Sequence, residues 1–142
     1  MTSLADRQAA LVAALVAGAD VPEGFDVSRV LATRLALMRK RAGEVAGTWP
    51  LLAASYGESW FAAFGTWAAA RPPAGSLRDG WDFARDQGDA LPALGKDDLA
   101  DRERHFHYDG RSAPRRRSRA AVLVATVRSR LWISDWPTAS TS

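Results

Sequence analysis

Apolar residues at Val27, Leu31, Leu35, Met38, Ala42 and Val45 recur at steps of four, four, three, four and three. Only an α-helix gathers such positions onto one face, so the spacing predicts a helix from Val27 to about residue 47, with Asp26 as its cap. Arg29, Thr33, Lys40 and Glu44 occupy the opposite side. A face this regular reads as core rather than as a cofactor box. Thr48-Trp49-Pro50 then stops the helix. Proline lacks the N–H that the next turn needs and pushes the residue before it out of helical geometry. The same Pro50 suits the first position of a new helix.

The rest of the chain is punctuated in the same way. Ser3 caps a first helix over 4–18, with Asp6 three residues on, Leu4, Leu11 and Leu15 on one face, and Gly18 as its stop. A short helix over 51–56 ends at Gly57. Trp60, Phe61, Phe64 and Trp67 stripe a helix over 58–70, and such aromatics read as core wedges in a small helical domain. Arg71-Pro72-Pro73 breaks it. Ser76 is the expected cap of the next helix, with Asp79 at the capping-box position, Leu77, Trp81 and Ala84 on one face, and Gly88 at its end. A last helix is expected over 96–107. Asp97 and Asp98 near its start and Arg104, His105 and His107 near its end complement the helix dipole, and Asp97, Asp98 and Asp101 read as a solvated helix start.

After residue 110 the pattern changes. RSAPRRRSR, residues 111–119, has no apolar period and reads as a linker. Residues 121–136 alternate and are rich in β-branched side chains, which favours a strand, although Leu123, Val127 and Leu131 also fit a helix. PTASTS, residues 137–142, reads as a disordered tail. The expected fold is therefore mainly α. A compact domain of five to six helices over 1–108 leads through a basic linker, 109–120, to a short C-terminal β-strand or hairpin, 121–136. The whole, at 142 residues, is the size of one domain.

Several function classes are disfavoured. With no cysteine, disulfides, thiolate metal sites and a Cys nucleophile are excluded. The two histidines, His105 and His107, sit beside Asp101 and Glu103, but residues two apart on a helix point to different sides and could share an ion only on a strand. No phosphate-binding loop and no paired carboxylates for acid–base work stand out. The reading is a protein that is not an enzyme and holds no cofactor. AALVAALVA, residues 9–17, is mostly alanine, and its flank has no net side-chain charge, so it reads as a helix of a cytoplasmic protein rather than a signal peptide.

Charge is unevenly placed. Arginine outnumbers lysine 17 to 2, and net charge runs from +1 over residues 1–74 to −4 over 75–103 and +6 over 104–142. The basic end nominates Arg115, Arg116, Arg117, Arg119, Arg128, Arg130 and Trp132 as a surface for a polyanion or a partner, since guanidinium groups grip phosphate and carboxylate in bidentate fashion. A strand edge beside them could add a strand from an acidic peptide. A solvated basic tether is the competing reading.

One longer pattern resembles a known family. A basic helix leads to Trp49-Pro50. A short helix ends at Gly57, and an aromatic helix with Trp60, Phe61 and Phe64 runs to Arg71-Pro72-Pro73. Ser76-Leu77 then opens a helix with Trp81 and Phe83. Over residues 27–105 this order resembles the family labelled a DNA-binding domain whose members accompany multinuclear non-haem iron-dependent oxidases, as in methanobactin-type peptide modification. It looks closest to a short actinobacterial branch. The resemblance implies a helical domain followed by a β-rich part that helps dock the oxidase and the leader of the precursor peptide, with iron held by the oxidase; the arginines would favour a precursor that is acidic. Two alternatives stand beside it: a DNA-binding transcriptional regulator using the basic segment, and a structural adaptor for an unrelated protein. No recognition helix for base edges is evident, because Arg34, Arg39, Lys40 and Arg41 scatter around their helix.

Overall fold

The computed structural model describes residues 3–118. Ser3 closes a capping box: its Oγ accepts from the Asp6 amide at 3.1 Å, and the Asp6 carboxylate accepts from the Ser3 amide at 3.0 Å. Helix α1, Leu4–Val16, follows and ends at Gly18, which takes φ +74°. A Cβ on Gly18 would come 2.6 Å from the Ala69 carbonyl oxygen, so glycine permits both the turn and the close approach there. Asp26 accepts from the Arg29 amide at 3.0 Å and opens α2, Val27–Thr48. Pro50 then sits in the first turn of α3, Pro50–Tyr56, as the sequence predicts. A 3₁₀ turn leads to α4, Trp60–Ala68, and α5 spans Ser76–Gln87. Helix α6 covers Ala93–His105, and two short strands complete the described residues: β1, Phe106–His107, and β2, Arg115–Arg116. The fold is mainly α, with a short antiparallel hairpin towards the C-terminal end of what is described.

The chain divides into two units, Met1–Leu99 and Ala100–Ser142. The core of the first is aromatic. Phe83 of α5 meets the rings of Tyr56, Trp60, Phe64 and Trp67 at 5.4, 5.5, 5.7 and 5.7 Å, while Trp49 and Trp81 meet edge to face at 5.5 Å. Such pairs add roughly 0.5–1.5 kcal/mol each beyond the area they bury. The buried indole N–H groups of Trp49 and Trp60 are satisfied. Trp49 donates to the Leu77 carbonyl at 3.1 Å and Trp60 to the Ala42 carbonyl at 3.0 Å. Ala42, Val45, Leu52 and Ala68 fill the remaining space.

One buried ion pair ties this core together. Arg41 of α2 reaches Asp79 of α5 at 2.8 and 3.0 Å, with side-chain exposures of 11% and 3%. The same guanidinium donates to the Arg71 carbonyl at 2.7 Å, and Asp79 also accepts from the Ala74 amide at 3.0 Å. Both ends are thus hydrogen-bonded, the condition under which a buried pair repays its desolvation.

Four local expectations are corrected. Ser76 is not the cap of α5. Gly75 holds that position at φ +96°, because Asp79 is engaged by Arg41 and the Ser76 hydroxyl instead accepts from Thr48 at 2.8 Å. Helix α6 begins at Ala93, so Asp98 falls inside it and is buried rather than solvated. Its carboxylate accepts from the Leu52 amide at 3.1 Å and so caps α3 from another helix, since Trp49 offers no capping oxygen. The third correction concerns the α2 stripe. Ala42 and Val45 are core, Met38 is half-buried, and Val27, Leu31 and Leu35 are exposed. Likewise Trp60 and Phe64 are buried while Phe61 is exposed.

In the second unit, β1 pairs antiparallel with β2, Phe106 opposite Arg116 and His107 opposite Arg115. The hairpin thus lies in the stretch read as helix end and linker. Its loop is organised by Asp109, whose carboxylate accepts from the Arg111 and Ser112 amides and the Ser112 hydroxyl, all at 2.8 Å. The β reading of residues 121–136 and the disordered reading of 137–142 lie outside the described residues.

Candidate functional site

The exposed half of the α2 stripe is where the first unit can receive something. Leu31 and Leu35 are 50% and 54% exposed, and Phe61 of α4 is 53% exposed. Together with Leu15 and Val16 of α1 and Met38 of α2 they line a cavity of about 640 Å³. The α4 wall is built from small residues, Ala62, Gly65, Thr66 and Ala69, which keep it smooth. The α2 wall is ridged by Leu31, Leu35 and Met38. Helices α1, α4 and α5 all pack on the 22-residue α2, and Val27, Leu31 and Leu35 remain exposed.

Charge surrounds the apolar floor. Arg34 and Arg39 line the cavity and have no ion pair or hydrogen bond among the described residues. At 100° per residue, Arg34 stands roughly 60° to one side of Leu31 and Arg39 roughly 80° to the other. Lys40 and Glu44 also line it and pair with each other at 3.8 Å, and Arg41 is committed to Asp79. The result is an apolar trough with a free cation on each bank. It can bind apolar side chains and anions; no His lines it, and the described residues hold no group of metal ligands.

The arginines nominated from sequence are arranged differently. Arg115 and Arg116 are exposed on β2 and, being successive strand residues, point to opposite faces. Arg116 lies over the Phe106 ring at 5.8 Å. Arg117 is a structural cap: its Nε donates to the Glu103 and Phe106 carbonyls, both at 3.1 Å, at the C-terminal end of α6 where carbonyls lack helical partners. Arg119, Arg128, Arg130 and Trp132 lie outside the described residues. His105 turns its Nδ1 to the Asp101 carbonyl at 2.8 Å, and His107 is exposed on β1. Sequence reasoning missed the groove because it treated the whole stripe as core. Periodicity marks a face as apolar but carries no signal of which of its turns the other helices cover.

Tyr56 adds one unusual group. Its hydroxyl is buried without a hydrogen-bond partner among the described residues, and burial pushes its pKa up, so it stays neutral.

Comparison with known proteins covers the same helices. Residues 5–89 match the family described as SCO6045-like, C-terminal domain. A UPF0276 protein of Streptomyces avermitilis is 48% identical over 82 residues, which is 57% of this chain and 17% of that protein. The chain thus matches less than a fifth of the length of that relative. No solved structure matches.

Proposed function

The chain belongs to the SCO6045-like, C-terminal domain family, and from that premise we propose that it is a non-enzymatic accessory domain that docks on a larger protein through the α1–α2–α4 groove. The observation that carries this is the open apolar stripe of α2, with Phe61 beside it. Half-exposed Leu31, Leu35 and Phe61 beside a cleft offer apolar side chains of a partner a place to bury. One further fact supports it. The matching segment in the Streptomyces avermitilis protein accompanies a body several times its own length.

The resemblance read from residues 27–105 supplies the identity of the partner. In this reading it is a multinuclear non-haem iron oxidase acting on a ribosomally made, acidic precursor peptide. The iron belongs to that partner. Arg115 and Arg116, exposed on opposite faces of β2, each offer acidic groups of the precursor a basic contact.

The test uses the body of the Streptomyces avermitilis protein without its matching 82 residues. It should capture this chain in trans, and Leu35→Glu or Phe61→Glu should abolish capture while circular dichroism stays helical. Capture unaffected by either substitution would move docking away from the groove, and no capture by any version would end the accessory reading. Metal analysis of the captured body decides the oxidase: absence of iron removes it from the reading.

A further inference from the structure

We propose that the groove receives an amphipathic helix of the partner protein, carrying leucine-like side chains on one face and carboxylates on both flanks of that face. This rests on the docking reading and specifies its occupant.

Length argues for a helix. The apolar part of the α2 lining runs from Leu31 to Met38, roughly 10 Å at 1.5 Å per residue, and the whole α2 lining from Leu31 to Glu44 runs roughly 20 Å. The full length is that of three to four helical turns, longer than a compact small molecule and suited to a helix of about 12 residues laid alongside. Shape agrees. One wall is ridged by Leu31, Leu35 and Met38 and the other is smooth at Ala62, Gly65, Thr66 and Ala69, so side chains spaced three and four apart can seat against the ridges while the backbone approaches the smooth wall. The floor holds no converging polar groups, which an extended peptide would need for its backbone N–H and C=O. A helix satisfies those groups internally.

Charge selects the flanks and the source. Arg34 and Arg39 stand on opposite sides of the stripe, unpaired among the described residues. Carboxylates on both edges of an incoming apolar face would meet them. A second copy of this chain is disfavoured, because a two-fold contact across the groove would bring Arg34 and Arg39 against the same cations of the other copy. The chain's own residues 119–142 are disfavoured for the same reason. They contain Arg119, Arg128 and Arg130 against a single acid, Asp135.

Two synthetic helices test this, with identical leucine faces and either glutamate or lysine on both flanks. Measured by fluorescence anisotropy on the full chain at about physiological salt, the glutamate helix should bind at least roughly tenfold tighter than the lysine helix. Arg34→Glu with Arg39→Glu should reverse that preference, and Leu31→Glu should weaken both. All these positions lie on the surface of α2, so thermal melting of each variant reports whether it is folded. Equal binding of the two helices, no binding of the glutamate helix, or a preference unmoved by charge reversal would each overturn the proposal. Capture of the partner body by the unaltered chain then reads separately: if it persists, docking stands and only its occupant is wrong.

Discussion

At Gly80 the absence of a side chain decides how α5 meets the core. A Cβ built there would overlap the indole of Trp49, which lies flat against this position, is wholly buried and has its N–H committed to Leu77. Trp49 cannot retreat without breaking its edge contact to Trp81 and its hydrogen bond. Gly80→Ala should therefore destabilise the chain by roughly 1–3 kcal/mol, as overpacking does, despite alanine's better helix propensity. Urea unfolding followed by tryptophan fluorescence checks it, and a neutral or stabilising result would show that the Trp49 site can yield. Arg41 and Asp79 work at the same scale. Neither residue type at its own position announces a buried pair. Each reads as an ordinary charge on a helix until the other is found 38 residues away.

Individual elements owe their boundaries to local chemistry and their exposure to neighbours. The start of α1 and the stop between α2 and α3 are written in adjacent residues, Ser3 with Asp6 and Trp49 with Pro50, and the structure follows them. The cap of α3 is not local, because Asp98 supplies it from 46 residues away. The hairpin holds a pH-dependent piece of order. Hydrogen bonds from Ser112 and Arg111 hold the Asp109 carboxyl well below its ordinary 3.8. A depressed folded value means that these bonds stabilise the loop at pH above about 4 and that this stability is lost as pH falls towards the lower folded value. Amide resonances of Arg111 and Ser112 should stay constant from pH 7 to 5 and shift only in stronger acid. A midpoint near 3.8 would mean that the carboxylate is not held.

For the whole molecule, the open face of α2 adds little to stability. Leu31 and Leu35 are half exposed, so replacing both with glutamate removes little buried area and should change stability by no more than about 0.5 kcal/mol per site. The same double variant should be less prone to self-association at high concentration, since it breaks the apolar patch. Thermal melting with light scattering measures both, and a large drop in melting temperature would place these leucines in the core after all. The sequence by itself determined that this chain is helical, roughly where each helix starts and stops, and that its aromatic residues build the interior. Those properties rest on caps, prolines and 3.6-residue periodicity, which act within a few residues. Only the tertiary structure decided which half of the α2 stripe is covered, that Asp98 is a cap and that Arg117 is another. A periodic apolar face states that something must cover it, but which of its turns the helices of the same chain cover depends on distant segments. For α2, helices α1, α4 and α5 leave Leu31 and Leu35 exposed, and that remainder is the surface to which the proposed docking is assigned.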